Sequence, residues 1–226
     1  IAETVAQMSA DGVTRAAAIC LAPQNSRTSV GLYRRAVLAE AGTKIKIVFV
    51  DSWHDHPLLI QAFAEKLYSP WRSACSDCGT EVPVLFTAHS VPERTIQEGD
   101  PYDVQCRQTA ELVAAKIPGL KPEDWRFAFQ SQGMSGGAWI GPTVEETIVQ
   151  LQAGGAKAVI LQPIGFVCDH VEILYDIDIG FKQFAGTRGM MLTRARSLND
   201  SPAFIAALAD LAASTLGIAL PQKVPS

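Results

Sequence analysis

The chain has 226 residues, of which 48% are hydrophobic and 19% charged, enough for one large or two modest domains with real cores. A formal net charge of −4 provides no basic face of the kind nucleic-acid binding needs, and no apolar run reaches the length of a membrane span. Five cysteines without framework spacing, and no visible signal peptide, point to a reducing cytoplasm rather than a disulfide scaffold.

Residues 1–11 read as an amphipathic helix already under way, so the start at Ile1 is expected to be that of a fragment whose upstream strands are missing. Gly12 stops that helix. A strand follows over residues 16–22, then a helix over 30–41 carrying Arg34 and Arg35, then a strand over 44–50. A helix is expected over 57–68 with Pro57 at a favourable early position, and a loop over 69–80 containing Cys75-Ser76-Asp77-Cys78. Strands are expected at 82–87, 126–129 and 158–162, with helices over 103–117 and 143–152 between them. A short strand over 189–193 and a helix over 202–216 close the chain. Strands alternating with helices of this length predict an α/β fold with parallel sheets flanked by helices.

In open parallel sheets ligands bind outside the carboxyl ends of the strands. Three polar clusters fall there: His89 after the strand over 82–87, Gln130-Ser131 after the one over 126–129, and Asp169-His170 with Glu172 after the one over 158–162. His89 is the best candidate base, because an imidazole titrates near working pH; the alternative is a histidine that ties a turn together. Asp169, Glu172 and Asp176 are spaced i, i+3 and i+7, so a helix would gather them on one face. Asp169-x-x-Glu172 reads first as a capping box. Glu172, four residues from the like charge of Asp176, has the better functional claim. Trp139 in the Gly-rich loop over 136–141 is either a core anchor or a flat wall for a flat ligand. Cys75-x-x-Cys78 is half of a metal motif at most, and reads as loop thiols.

Several ordered motifs make a more specific signal. Leu85-Phe86-Thr87-Ala88-His89-Ser90-Val91-Pro92, Gly99-Asp100-Pro101-Tyr102, Phe129-Gln130-Ser131, Trp139-Ile140-Gly141-Pro142 and the stretch from Pro163-Ile164-Gly165-Phe166 to Asp176 resemble the signatures of the ferrochelatase family. The resemblance implies two Rossmann-like (chelatase-like) domains with a porphyrin cleft between them and Fe²⁺ insertion in haem biosynthesis. Residues 1–51 would be the C-terminal part of an incomplete first domain, 52–200 the second domain, and 201–226 a helix and tail packing back on the first. It assigns His89 and Glu172 as the catalytic pair, and His89, Glu172 and Asp176 as groups meeting the metal. Trp139, Gln130, Ser131, Ile164 and Phe166 would line the porphyrin cleft, with Asp169 and His170 in a supporting network. The third acid of the family's ladder falls at Gly180. The C-terminal end lacks a cysteine cluster, so no iron–sulfur centre and no tightly bound cofactor is expected, Fe²⁺ being a substrate. A monomer or homodimer with at most peripheral membrane contact is expected. The rival readings are a cobalt or nickel chelatase of similar fold and a porphyrin-binding module without metallation.

Overall fold

The computed structural model describes residues 1–42, 45–133 and 137–219. Lys44, expected to open the second strand, Gly136 in the glycine-rich loop, and the tail over 220–226 lie outside the described residues. The first part of the chain runs α1 (Ala2–Ala10), β1 (Arg15–Ile19), α2 (Val30–Ala41) and β2 (Lys46–Val50). β1 and β2 form a two-stranded parallel sheet, with Arg15 opposite Lys46 and Ile19 opposite Val50. The rest runs α3 (Pro57–Cys78), β3 (Val84–His89), α4 (Glu93–Gln97), α5 (Tyr102–Lys116), β4 (Trp125–Gln130), α6 (Val144–Ala153) and β5 (Ala158–Pro163). A π-helix over Ile173–Phe181 then continues into α7 (Lys182–Gly186), followed by β6 (Met191–Arg194) and α8 (Pro202–Leu216). β4, β3, β5 and β6 lie side by side in that order, all parallel.

β5 is buried at every residue and β3 at all but His89, as strands covered on both faces must be. On one face Phe86 of β3 and Phe127 and Phe129 of β4 pack with Phe63, Leu67 and Trp71 of α3. On the other, Leu85, Val159 and Leu161 pack with Ile148 of α6 and with Ile173, Ile177 and Phe181 of the π-helix. α8 lies against α3 and β1, with Phe204 stacked on Trp53 at 6.2 Å between ring centroids.

One expectation fails outright. Residues 69–80 are not a loop: α3 runs unbroken from Pro57 to Cys78, with Pro70 inside it. Pro70 removes one backbone hydrogen bond, yet the apolar spacing Leu59, Phe63, Leu67, Trp71 continues straight through it. Trp71 is fully buried and its indole N–H donates to the Val82 carbonyl at 2.9 Å. Tertiary burial outweighs the missing bond. Cys75 and Cys78 are therefore helical; Cys75 is buried and accepts from the Val82 backbone N–H at 3.3 Å, while Cys78 is exposed.

Candidate active site

His89 is the last residue of β3, and its register partner on β4 is Gln130. Three contacts set its ring. Tyr102 at the start of α5 donates its hydroxyl to the His89 carbonyl at 3.0 Å. The Ser90 carbonyl lies 2.6 Å from His89 Nδ1, a partner only an N–H can satisfy, so Nδ1 carries a proton and, in the neutral ring, Nε2 carries the lone pair. Phe166 meets the ring edge-on at 6.3 Å between centroids. Phe166 is brought there by Gly165, where a Cβ would stand 2.9 Å from Ala88 Cβ, so only glycine lets the turn after β5 lie this close to β3.

Glu172 sits just ahead of the π-helix, and its Oε2 is 3.8 Å from His89 Nε2. That is within electrostatic reach and too long for a shared hydrogen bond. Both side chains are partly open to solvent, at 34% for His89 and 48% for Glu172. The buried side chains of the π-helix, Ile173, Ile177 and Phe181, recur every four residues. Glu172, Asp176 and Gly180 precede each by one and so line up along one edge. Asp176 accepts a hydrogen bond from Ser131, whose backbone is left-handed at φ 60°. His170 turns its ring against Phe166 at 4.4 Å, and its buried Nε2 has no hydrogen-bond partner among the described residues.

His89 and Glu172 open on a cavity of about 1240 Å³, wide enough for a large planar ligand. Its four-stranded wall carries Trp139, Phe166 and His170, and its facing wall carries Ala18, Ile19 and Phe49 of the two-stranded sheet with Tyr33 of α2. Trp139 is held to this wall by a bridge to Pro92 and by the Ile140 N–H, which donates to Val91 at 3.0 Å. Hydrogen bonds join the two walls behind the cavity: Gln24 donates to the Ile164 carbonyl at 3.1 Å, and Asp100 accepts from the Arg27 backbone at 2.8 Å.

Of the expected cleft residues, His89, Glu172, Trp139 and Phe166 line the cavity together. Gln130 and Ile164 do not: both are buried, Gln130 accepting from Thr87 at 2.8 Å and Ile164 offering its carbonyl to Gln24. Ser131 likewise stands outside the lining, on Asp176. Among the described residues, no three His, Cys, Asp or Glu side chains form a group that could hold a metal ion, and the hydrogen-bond partner of Asp176 is Ser131. Asp169 is not a capping residue. It accepts from Arg194 Nη1 at 3.0 Å, Ser197 Oγ at 2.8 Å and Asn199 Nδ2 at 3.0 Å. The Asn199 bond above all, then Ser197 and Arg194, hold its carboxyl below the usual aspartate range against an opposing effect of burial. Burial pushes the Tyr102 phenol well above its ordinary value, so it stays a neutral donor to His89. Tyr102, Gly165 and Arg194 had no role assigned from the sequence, because each acts through a neighbour distant in the chain.

Parallel sheets flanked by helices, with a wide cleft at the carboxyl ends of the strands, define a chelatase-like α/β protein. SirB from Bacillus subtilis with Fe³⁺ has the same fold, at a TM-score of 0.65 and 13% identity over 96% of this chain and 79% of that one. The sirohydrochlorin chelatase SirB from Bacillus subtilis subspecies spizizenii in complex with cobalt follows at 0.60 and 12%, over 95% and 75%. The family model described as Ferrochelatase matches residues 1–216. The ferrochelatase of Acidobacterium capsulatum is 57% identical over 96% of this chain and 70% of its own length. That of Herpetosiphon aurantiacus is 40% identical over 91% and 67%, and the coproporphyrin III ferrochelatase of a Geobacillus species 38% over 92% and 67%. The chain belongs to the ferrochelatase family, metal chelatases of the lyase class that act in haem biosynthesis. Among the described residues, no helix is long and apolar enough to cross a membrane.

Proposed function

We propose that this protein inserts Fe²⁺ into a porphyrin, with His89 and Glu172 as the reacting pair. The observation that carries the reading is the approach of His89 Nε2 to Glu172 at 3.8 Å on the wall of a cavity large enough for a macrocycle. Metallation replaces two pyrrole N–H protons with one Fe²⁺. His89 Nε2, its lone pair free because Nδ1 is committed to Ser90, takes the first proton. Glu172 stabilises the imidazolium so formed and takes the second proton or guides the metal, and both protons pass to solvent as the pair returns to its starting state. The planar ring is held between Trp139 and Phe166 on one wall and the apolar face of β1 and β2 on the other. Contact along its rim supplies the energy to pucker it and turn a nitrogen lone pair outward.

Iron is cargo here, met by one nitrogen and one carboxylate rather than a closed ligand cage. We assign residues 1–51 to the C-terminal part of a first Rossmann-like domain and 52–200 to a second; the two separate parallel sheets support this division. The protein acts in the cytoplasm, as a monomer or homodimer with at most peripheral membrane contact, and uses no resident cofactor or iron–sulfur cluster. Coproporphyrin III, named for the Geobacillus relative, is the first substrate to try, with protoporphyrin beside it.

The test is Fe²⁺ insertion by the full-length gene product, followed by porphyrin absorbance, with Co²⁺ and Ni²⁺ in competition. His89→Ala and Glu172→Gln should each slow insertion about 10²- to 10⁴-fold while porphyrin binding holds within a few-fold. Near-normal insertion by either variant ends the assignment. Porphyrin binding without metallation by the unmutated protein favours a binding module, and preference for Co²⁺ or Ni²⁺ favours a chelatase of another tetrapyrrole.

A further inference from the structure

Among the described residues, no hydrogen bond holds the Glu172 carboxylate, and its ionic neighbour is His89 alone. Its position is therefore set by the backbone that carries it. That backbone leads into a π-helix, whose wider winding is rarer and less self-sufficient than an α-helix. It needs an anchor from elsewhere in the fold.

Arg194, the last residue of β6, has a side chain only 11% exposed. Its Nε and Nη2 donate to the two carboxylate oxygens of Asp178 at 3.0 and 2.8 Å. Its Nη1 donates to Asp169 at 3.0 Å and to Ser197 at 3.2 Å. Asp169 lies three residues before Glu172 and Asp178 six residues after it. One planar guanidinium thus ties both flanks of the Glu172 segment to a strand that is itself hydrogen-bonded into the sheet. Asn199 strengthens the first flank, since its side-chain oxygen accepts from the Asp169 backbone N–H at 2.9 Å. Lys182 adds to the second, 3.4 Å from Asp178. A lysine at position 194 could keep the charge but not grip three oxygens at fixed angles.

We infer that Arg194 is a positioning residue for metal insertion: by clamping Asp169 and Asp178 it holds Glu172 opposite His89. The inference rests on the reading of Glu172 as a reacting group, and the test separates the two. In the full-length gene product, kcat and KM for Fe²⁺ insertion into coproporphyrin III are measured for Arg194→Ala, Arg194→Lys, Asp178→Asn and Glu172→Gln, and for each of the first three combined with Glu172→Gln. Porphyrin affinity is read by fluorescence quenching. Arg194→Ala should lower kcat about 10- to 100-fold with KM and affinity within about three-fold. Arg194→Lys should recover part of the loss, and Asp178→Asn should fall between wild type and Arg194→Ala.

The deciding readout is coupling. Once Glu172 is glutamine, removing Arg194 should slow the enzyme no further, because the clamp acts only through that carboxylate. If the two losses multiply, or if kcat of Arg194→Ala stays within two-fold of wild type, the clamp is structural and the inference is wrong. If Arg194→Ala does not fold, Arg194→Lys and Asp178→Asn are put through the same cycle and decide it. If Glu172→Gln alone keeps its rate, it is the assignment of Glu172 that fails.

Discussion

The two sheets face one cavity but are built to different standards. β3 and β5 are buried nearly end to end, covered by helices on both faces. β1 and β2 carry equally apolar residues, Ala17 to Ile19 and Ile47 to Val50, yet these stay half-exposed, and several turn toward the cleft. Protein interiors are close-packed and resist displacement, so groups that must keep a few-ångström relation belong on or against the well-covered sheet: His89 ends β3, and Glu172 leads the π-helix packed on that sheet. The thinner sheet offers what a flat apolar ligand needs, an uncovered hydrophobic surface. Rigidity and stickiness are thereby assigned to opposite walls.

Substitutions on the two walls should move different kinetic constants. His89→Ala, on the buried sheet, should lower kcat by about 10²- to 10⁴-fold. Phe49→Ala, on the thin sheet, should raise KM several-fold and leave kcat within about two-fold, the mark of binding shared by ground and transition states. Equal effects of both on kcat would erase the distinction.

Gly165→Ala tests how tightly the rigid wall is closed. Its methyl would press on Ala88 at 2.9 Å. Urea unfolding should show about 1–3 kcal/mol of destabilisation, with a fall in kcat as Phe166 and His89 part. Tyr102→Phe is gentler. It removes the hydroxyl that holds the His89 carbonyl and should lower stability by about 1 kcal/mol.

The smallest effect expected is the acid response of the Arg194 corner. Hydrogen bonds from Arg194 hold the Asp178 carboxyl below the usual aspartate range, as Asn199 does for Asp169. Both groups bind protons more weakly folded than unfolded. Their stabilisation is therefore complete above the unfolded value of about 3.9 and is lost as pH falls through the lower folded values. Urea midpoints measured from pH 6 down to pH 2.5 should decline below about pH 4, and Asp178→Asn should make that decline shallower.

Much of this was legible in the residues. The helix over Val30–Ala41 and the one over Pro202–Leu216 fall where apolar spacing and proline placed them. The strand ends carrying His89, Gln130 and the Asp169 to Glu172 segment do share one edge of one sheet. Other features were not legible, because their causes lie far off in the chain. Residues 69–80 read as a loop, and only Trp71, buried against Val82, explains why the helix carries on through Pro70. Asp169 looked like a local cap, and only β6, returning beside β5, brings Arg194 to it. Gln130 and Ile164 carried the right motif but are buried, Gln130 bonded to Thr87 on the neighbouring strand and Ile164 to Gln24 from the first part of the chain, contacts between residues far apart in the chain.

The sequence by itself determined the order of strands and helices and the chemistry delivered at each strand end, because periodicity and turn residues are local properties. Tertiary structure alone decided that His89 Nε2 and Glu172 stand 3.8 Å apart and which arginine holds the acidic segment in place. The His89–Glu172 distance depends on parallel pairing of β3 with β5, where Val84 lies opposite Ile160, and the Arg194 contacts on pairing of β5 with β6; no local pattern encodes a distance across a sheet.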